Sequence, residues 1–505
     1  MIVVNLKDNS TTKQIQFFIF TPYQIYVKVA NFLYEDIASH IEEEILNGVL
    51  QLGDKLPSVR MFSKQHNVSA STIFQAYYTL ESKGLIEARP KSGYYVIYQP
   101  KKYRSDIVNS NQKEIPAIHE LTTDGMISHI VDLLSAENYT HLSSAKPDLS
   151  LLPTASLQKS VKSALTALGA DILNYDHPSG NIHLRQSIAG QQIKLGKAYT
   201  TKDIVVTNGC TEALTLCLRA TTKKGDIIIS DSLTYYGIHQ IIKDLGLKVI
   251  PIPIHTKTGL DLKFLKRSIE KFPVKACLLT TNFNNPTGKS LSTAQKKELV
   301  QLITKRQIPL IEDDVYGELY FGKHRPSTCK QFDTEGLVLY CSSFSKTLAP
   351  GYRVGYTIAG KFTETVTRLK RIHSLGSSTL SQQALVGFLS KGRYPYHLKK
   401  LRHTLHANML SYCKLIYQYF PEEIYFVPPT GGYILWIAFP EDFDSVALFE
   451  AAKMQNLIIA PGQIFSMNDS HKNYIRLSFS TPITEPIEKA IEVLGSLAKA
   501  LIQKS

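Results

Sequence analysis

The sequence predicts an α/β protein made of two units, a small helical one followed by a much larger one that holds a β-sheet. In residues 31–98, short segments with apolar residues at helical spacing are separated by glycines. From about residue 141 onward, apolar runs such as residues 274–279 and 308–311 have the length of buried strands and end in polar turns. The chain has 505 residues, of which 43% are hydrophobic, enough to bury one large core and one small core.

The small unit shows three helical segments followed by two short strands. Apolar spacing predicts the first helix near residues 34–46, and residues 59–66 follow Ser58, whose side chain suits an N-cap. A short turn leads to the third helix, residues 70–80, and residues 85–96 predict two strands around a basic turn. This order is that of a winged helix-turn-helix, which places the helix after the tight turn in the major groove of DNA.

Four phrases of this unit closely resemble the GntR family of DNA-binding proteins. They are Leu56-Pro57-Ser58-Val59-Arg60, Val68-Ser69 with Thr72, Leu80 with Gly84, and Gly93-Tyr94-Tyr95-Val96. The resemblance implies that DNA is contacted by Ser58, Arg60, Ser69, Ser71, Thr72, Gln75, Arg89 and Lys91. The chain departs from the family at Ala70 and Gln75, where relatives often carry arginine, although glutamine is suited to adenine.

Net charge is a weak argument for DNA binding in this chain. The whole sequence carries a formal charge of +14, which favours an anionic partner. Residues 31–98, however, hold six Lys and Arg against eight Asp and Glu. The prediction of DNA binding therefore depends on motif and placement, and the excess positive charge lies in the rest of the chain.

Residues 342–353 place one lysine among hydroxyl groups and an arginine. Lys346 follows Ser343 and Ser345, and Arg353 comes seven residues later. Pyridoxal phosphate (PLP) bonds its aldehyde to a lysine amine, and its phosphate needs hydroxyl donors and a fixed cation nearby. The segment closely resembles the lysine loop of fold-type I aminotransferases, and the resemblance implies PLP on Lys346.

Two strand ends carry the residues that would hold the ring of PLP. Asn285 follows the apolar run at 274–279, and the resemblance implies that it binds the ring hydroxyl. Asp313 follows the next run, and a carboxylate there would keep the pyridine nitrogen protonated. Asp314 is the neighbouring candidate for that role. The family pattern Asp-x-x-Tyr assigns Tyr316 to the ring hydroxyl.

Further motifs of the same family suit the phosphate and the ring face. Gly209, Cys210 and Thr211 lie between a predicted strand and a predicted helix, whose free N–H groups attract anions. The resemblance places an aromatic ring on the face of PLP, and Tyr235 aligns with it better than Tyr236.

Two residues extend the resemblance to substrate and to a second subunit. Arg476 is the one arginine in an alternating strand pattern, and the family uses this arginine to bind the carboxylate of an amino acid. In the family, the tyrosine at the position of Tyr175 often reaches the phosphate of the neighbouring subunit. Tyr175 therefore predicts a homodimer.

Together the two halves resemble MocR-type regulators, the GntR subgroup with an aminotransferase-like domain. The expected organisation is an extension of unassigned role (1–30), the winged helix-turn-helix domain (31–98), a linker (99–140) that holds one possible helix, and the PLP-binding domain (141–505). The resemblance implies a large mixed-sheet domain with a small C-terminal domain. The implied function is transcription regulation in which an amino compound, or PLP itself, is sensed. The alternative is an active PLP-dependent aminotransferase that carries a DNA-binding domain.

Other features exclude several classes of protein. No apolar run approaches the roughly 18 residues of a membrane span, and residues 1–20 lack the pattern of a signal peptide. The six cysteines are scattered without metal-ligand spacing, so no metal is expected and the thiols are predicted to be reduced. We therefore expect a cytoplasmic protein.

Overall fold

The computed structural model describes two compact units, divided between residues 100 and 101. The residues described are 33–46, 50, 52–90, 92–98, 116–119, 125–133, 136, 138–193, 198–255, 259–322, 324–467 and 470–503. The extension at 1–30, the first part of the linker and Lys91 lie outside this set.

The first unit contains three helices and a hairpin, as the sequence predicts. They are α1 (Leu33–Leu46), α2 (Val59–His66), α3 (Ala70–Ser82), β1 (Ile86–Arg89) and β2 (Gly93–Val96), the two strands being antiparallel. Ser58 caps α2 by accepting a hydrogen bond from the Met61 amide at 3.2 Å, which confirms the predicted cap. Ser69 caps α3 in the same way, with the Thr72 amide at 3.1 Å. The tight turn between the two helices contains Asn67 with a left-handed backbone (φ 51°).

One face of each helix builds the core of this unit. Ile41 and Ile45 of α1 pack with Ile73 and Tyr77 of α3, and all four are buried. The Tyr77 hydroxyl donates a hydrogen bond to the Pro57 carbonyl at 2.8 Å, which ties α3 to the start of α2. The opposite face of α3 therefore points away from this core.

The second unit alternates helices and strands along most of its length. Its helices are α4 (Gly125–Leu133), α5 (Thr154–Leu168), α6 (Ile182–Ile193), α7 (Cys210–Thr221), α8 (Tyr236–Asp244), α9 (Leu262–Lys271), α10 (Thr293–Arg306), α11 (Thr363–Ser374), α12 (Thr379–Leu389), α13 (Arg393–Tyr419), α14 (Ser445–Lys453) and α15 (Glu485–Ile502). Its strands are β3 (Thr140–His141), β4 (Ile204–Thr207), β5 (Ile227–Asp231), β6 (Lys248–Ile252), β7 (Ile254–His255), β8 (Gly259–Leu260), β9 (Val274–Thr280), β10 (Leu310–Asp313), β11 (Val338–Ser343), β12 (Gly355–Ile358), β13 (Ile434–Ala438), β14 (Leu457–Ile458), β15 (Ala460–Pro461) and β16 (Tyr474–Ser478).

A seven-stranded mixed sheet forms the centre of this unit. Its strand order is β4-β12-β11-β10-β9-β5-β6, with β12 antiparallel to both neighbours and the other pairs parallel. Parallel strands covered by helices on both faces carry near-continuous apolar runs, which explains why β9 and β10 are recognisable in the sequence. The polar residues that follow β5, β9, β10 and β11 meet at one edge of the sheet.

A smaller antiparallel sheet, with strand order β13-β16-β15, lies in the C-terminal part. It confirms the small C-terminal domain. The predicted linker helix is also present as α4, and Ile130 from it is buried in the same apolar cluster as Phe439 and Leu477. Within the described part of the chain, no helix combines the length and hydropathy needed to cross a membrane.

Candidate functional site

Lys346 lies in the loop after β11, at the edge of the large sheet. Its Nζ donates a hydrogen bond to the Ala145 carbonyl at 2.6 Å and lies 5.8 Å from the centre of the Tyr316 ring. Burial, and then the positive charge of Arg476, lower the pKa of this amine to about 8, against a partial opposing effect of Asp313. A lysine in these surroundings is far more often neutral, and therefore nucleophilic, than an exposed one.

The two candidate carboxylates at the end of β10 have different partners. Asp314 accepts hydrogen bonds from Asn282 and Tyr340, each at 2.8 Å, and forms a buried ion pair with Arg325. Asp313 has no such cation and accepts hydrogen bonds from the Val315 amide at 3.2 Å and the Cys210 thiol at 3.6 Å. Burial raises the pKa of Asp313 to about 6. Of the two carboxylates, Asp313 is the one that interacts with the charge of Lys346.

Arg476 is a fully buried guanidinium on β16. Nη1 donates to the Asn285 side-chain oxygen at 2.9 Å, and Nη2 donates to the Ser143 carbonyl at 2.6 Å. Its Nε has no hydrogen-bond partner, and none of the ion pairs among the described residues involves it. A buried cation that lacks a carboxylate is costly unless a ligand supplies one.

Aromatic rings surround this arginine. The Phe465 ring centre lies 4.6 Å from its guanidinium carbon, and its charge also acts on Tyr316, Tyr235 and Tyr236. The rings of Tyr235 and Tyr236 lie 4.4 Å apart, so both tyrosines reach the site. The stacking role assigned to Tyr235 stays a prediction.

The predicted phosphate turn is built around Gly209 and Arg353. Gly209 precedes α7 with φ 83°, and a Cβ atom on it would lie 2.3 Å from Nη2 of Arg353. Glycine at this position therefore lets the arginine lie against the helix N-terminus. Arg353 donates to the Ser345 hydroxyl at 3.3 Å, and Ser343 accepts from the Ser345 amide at 3.3 Å.

The other predicted residues around this turn differ in their accessibility. Thr211 is exposed at the start of α7, whereas burial raises the pKa of the Cys210 thiol well above its usual value. A neutral, half-buried thiol that donates to Asp313 favours the structural role over the reactive one. Tyr175 is 86% exposed, and its role toward a second subunit stays a prediction.

A second set of predicted residues lies on the outer face of the first unit. Four of these residues are exposed: Ser58, Arg60, Ser69 and Ser71. Two more, Thr72 and Gln75, are partly exposed on α3. The Ser69 hydroxyl also lies 2.7 Å from that of Ser71 and 2.8 Å from that of Thr72. The hydroxyls thus form a cluster at the N-terminus of α3, where a phosphate is favoured.

The basic residue described in the wing is held by its neighbours. Arg89 donates from Nε to Glu87 at 2.7 Å and lies 4.3 Å from the centre of the Tyr95 ring.

Comparison with known families assigns both units. Residues 33–96 match the bacterial regulatory proteins of the gntR family, and residues 134–494 match aminotransferase class I and II. The chain is a member of the GntR-type transcriptional regulators that carry an aminotransferase domain. This confirms the MocR-type architecture and the DNA-binding regulatory function that the sequence predicts.

Relatives of this regulator align along most of its length. The uncharacterized HTH-type transcriptional regulator YdcR of Escherichia coli K12 is 37% identical over 467 residues, covering 92% of this chain and 98% of that protein. The HTH-type transcriptional regulator NorG of Staphylococcus aureus USA300 is 30% identical over 457 residues, covering 88% and 99%.

Solved structures of similar fold include aminotransferases. The α-aminoadipate aminotransferase LysN of Thermus thermophilus, complexed with N-(5'-phosphopyridoxyl)-L-leucine, has a TM-score of 0.70 at 24% identity and covers 76% of this chain and 98% of its own. The kynurenine aminotransferase of Pyrococcus horikoshii has a TM-score of 0.69 at 24% identity, covering 75% and 95%. At this identity the likeness shows the fold of the regulator's second unit.

The residues of this unit fit the chemistry of PLP. The pKa of the Lys346 amine is close to neutral pH, Asp313 is a buried carboxylate that belongs to none of the ion pairs found among the described residues, and the Arg476 Nε has no hydrogen-bond partner. Each of these features is unfavourable in an apolar interior unless a ligand compensates it. When bound, PLP would supply an aldehyde for the lysine and an electron-withdrawing ring beside the carboxylate.

Sequence reasoning missed the contributions of Tyr433 and of two backbone carbonyls. The Tyr433 hydroxyl donates to the Ala145 carbonyl at 3.0 Å, and this carbonyl also accepts from Lys346. The sequence signal near Tyr433 was the glycine pair that precedes it. A Cβ atom on Gly431 would lie 2.4 Å from the Phe283 ring, so the close packing of this segment requires glycine there. The carbonyls of Ser143 and Ala145 leave no signal in the sequence, since any residue supplies one.

Proposed function

We propose that this regulator senses an amino compound through PLP bound to Lys346, and that occupancy of the site changes how the winged domains meet DNA. In this proposal residues 31–98 form the winged domain, residues 99–140 form the linker, and residues 141–505 form the ligand-binding domain. The supporting observation is the buried Arg476, whose charge faces the site without a carboxylate and whose Nε has no partner. An amino acid would supply that carboxylate.

Each polar residue of the site would have one role. Lys346 would hold PLP, Asp313 would accept a hydrogen bond from the protonated ring nitrogen, and Asn285 with Tyr316 would bind the ring hydroxyl. The Gly209 turn, the two serines of the lysine loop and Arg353 would bind the phosphate. Tyr235 would cover the ring face, and Arg476 would bind the ligand's carboxylate in the two-point geometry of a guanidinium.

The contacts of Lys346 and Arg476 suggest how occupancy is transmitted. Lys346 holds the carbonyl of Ala145, and Arg476 holds the carbonyl of Ser143, both at 2.6 Å. PLP would engage the lysine and a ligand carboxylate would compete for the arginine, so the segment between β3 and Ala145 would lose these two contacts, while Tyr433 would still donate to Ala145. A ligand that binds two conformations unequally is what any such switch requires.

The cofactor proposal is tested by chemical trapping. Full-length protein is incubated with PLP, reduced with borohydride and digested, and the peptides are analysed by mass spectrometry. We expect a stable adduct on Lys346 and none on the Lys346→Ala variant. Lys289, a partly buried lysine near the site, provides a matched control as Lys289→Ala. An adduct that persists in Lys346→Ala, or its absence in the parent protein, would refute the cofactor assignment.

A second function, transamination, is favoured by the same lysine. With a pKa of about 8, Lys346 is suited to accept a proton from a carbon beside the ligand's amine once it is released. Keto-acid production separates the two functions, because a sensor binds the amino acid without consuming it. Ligand-dependent change in DNA affinity without keto acid supports sensing. Stoichiometric conversion to keto acid supports an aminotransferase, whose DNA binding is then measured separately.

The proposed unit is a cytoplasmic homodimer in which Tyr175 serves the neighbouring site. Tyr175 is 86% exposed, which leaves its ring accessible to a second subunit. Mixing Tyr175→Phe protomers with Lys346→Ala protomers tests this. In the mixed dimer, one site should combine Lys346 of the first protomer with the native Tyr175 of the second. This site should bind PLP with the affinity of the parent protein, giving one such site per dimer. A Tyr175→Phe protein that binds PLP as tightly as the parent would contradict this role.

A further inference from the structure

The outward face of α3 has an unusual composition for a helix that enters DNA. Five residues at helical spacing line this face, and each is exposed or partly exposed. They are Ala70, Ser71, Phe74, Gln75 and Tyr78. Phe74 is 56% exposed and Tyr78 is 53% exposed. The thirteen residues of α3 include no lysine and no arginine. This face therefore offers apolar surface, hydroxyls and one amide, but no cation.

These side chains suit one class of base pair. Arginine and lysine are the usual readers of guanine, and α3 has neither. Glutamine pairs in two-point fashion with the N6 and N7 atoms of adenine, and phenylalanine contacts the C5 methyl group of thymine. The side-chain amide of Gln75 has no hydrogen-bond partner among the described contacts, whereas its backbone carbonyl accepts from Thr79 at 2.8 Å. The amide is thus free to bind a base edge.

The packing of Phe74 shows that its exposure is built into the unit. The ring meets Tyr94 of the wing edge to face, with centres 6.5 Å apart, and Tyr94 in turn meets Tyr77 at 5.0 Å. One edge of the Phe74 ring is therefore fixed by the wing while the other points outward. A positioned aromatic edge with half its surface exposed is suited to an apolar group on a partner, here a thymine methyl group.

Two described cations of the unit, Arg60 and Arg89, lie outside α3 and suit phosphates. Arg60 at the start of α2 is exposed and takes part in none of the ion pairs described for this unit. Arg89 is engaged by Glu87 and Tyr95. Cations beside the helix position the domain on the backbone, and the helix itself then supplies the sequence preference.

We propose that α3 reads A·T base pairs, with Gln75 on an adenine and Phe74 on the methyl group of a thymine, so that the operator half-site carries A·T pairs where α3 enters the groove. The proposal rests on the DNA-binding role of the winged domain. It is independent of the PLP proposal, because neither Lys346 nor any ligand takes part.

Selection from a randomised duplex pool with the full-length protein finds the half-site. The Gln75→Arg variant is selected in parallel. We expect A·T pairs at the positions under α3 for the parent protein and a gain of G·C at one of those positions for the variant. A parent half-site whose positions under α3 are G·C would overturn the proposal.

The thymine contact is isolated by replacing single thymines of the selected site with deoxyuridine, which lacks only the methyl group. Loss of one buried methyl should weaken binding of the parent roughly threefold to fivefold at the contacted position. Phe74→Ala should bind both duplexes equally. Equal sensitivity of Phe74→Ala and the parent to deoxyuridine would refute the role of Phe74.

The adenine contact is tested with 7-deazaadenine, which removes the N7 acceptor. Gln75→Ala should lose roughly tenfold to a hundredfold in affinity on the natural site and be insensitive to the modified base. Arg60→Ala is the control, since loss of a phosphate contact weakens all sequences alike and lowers the salt dependence by about one unit of slope. A uniform loss in Gln75→Ala, like that of the control, would overturn the assignment. Thermal unfolding of each variant confirms that the exposed substitutions leave the fold intact.

Discussion

The clearest prediction concerns Arg476→Lys, which keeps the positive charge and removes the planar fork. Arg476 uses Nη1 and Nη2 for Asn285 and Ser143, and its Nε is unpaired. A lysine amine reaches one of these acceptors and cannot also present two parallel N–H groups to a carboxylate. We therefore expect the variant to lose affinity for amino acids but not for amines that lack the carboxylate.

The size of the effect follows from the contacts. One charge-assisted hydrogen bond to the carboxylate contributes about 1.5–3 kcal/mol, so amino-acid affinity should fall roughly 10-fold to 150-fold. The corresponding decarboxylated amine makes no such bond, and its affinity should change less than about threefold. The acceptor left by the shorter side chain, Ser143 or Asn285, should lower the free energy of unfolding by about 1–3 kcal/mol.

The assay is a spectral titration of PLP-loaded protein with matched pairs such as alanine and ethylamine. Arg402→Lys is the control, because Arg402 likewise donates to a backbone carbonyl, at 3.1 Å, and lies 4.3 Å from an aromatic ring centre. Its loss should leave both affinities unchanged. If Arg476→Lys weakens the amino acid and the amine equally, the arginine does not bind the carboxylate and the reasoning fails.

Four further predictions concern single residues: two carboxylates, one lysine and one helix cap. Asp314→Asn should lower the free energy of unfolding by about 1.5–3 kcal/mol in urea, because it removes the more buried of the two carboxylates that pair with Arg325 and leaves only Glu318. Asp313→Asn should instead stabilise the PLP-free protein near pH 7, by up to about 3 kcal/mol, since the pKa of about 6 in the folded state lies above the ordinary 3.8. This gain in stability should vanish below pH 3.8, where the carboxyl group is neutral in the folded and unfolded states. Labelling of the Lys346 amine by a trace acylating reagent should reach half its maximum near pH 8, and a midpoint near the ordinary lysine value of about 10.4 would contradict its burial. Ser69→Ala should cost about 1 kcal/mol in thermal unfolding through loss of the α3 cap at 3.1 Å, and an unchanged stability would show that the cap is redundant.

Much of this fold could be predicted because the sequence carries local signals. The bounds of α2 were predicted to the residue, since Ser58 is a strong cap and the following turn is short. The strands β9 and β10 were evident as apolar runs because a sheet covered on both faces leaves no alternation of polar residues. The order of the motifs also predicted that Asp313, Lys346 and Arg476 belong to one site, although Asp313 and Arg476 are 163 positions apart in the chain.

What the sequence could not supply were contacts that depend on three-dimensional neighbours. Asp313 and Asp314 carry the same side chain, and the partners that distinguish Asp314 are Asn282, Arg325 and Tyr340, which lie elsewhere in the chain. The exposure of Phe74 was equally hidden, because an aromatic residue in a helix is buried more often than not, and its environment is set by Tyr94 of the wing. Backbone carbonyls at Ser143 and Ala145 carry no residue identity at all.

The contacts of the linker's end determine which movement of the second unit would be passed to the linker. β3 pairs with β14 through Thr140 and Leu457, and Ile130 of α4 packs into the apolar cluster of the C-terminal part. The described start of the second unit is therefore held at two places. His119 pairs with Val249 of β6 at the edge of the large sheet, whereas α4 and β3 attach to the C-terminal part, which also carries Arg476 on β16. A carboxylate that draws Arg476 toward the large sheet would carry β3 and α4 along, because packed interiors shift as rigid elements and do not deform continuously. Release of Ser143 and Ala145 alone would leave β3 in place, so we infer that movement of the small sheet relative to the large sheet, to which His119 is paired, adds to the loosening of the 143–145 segment in conveying ligand binding to the linker.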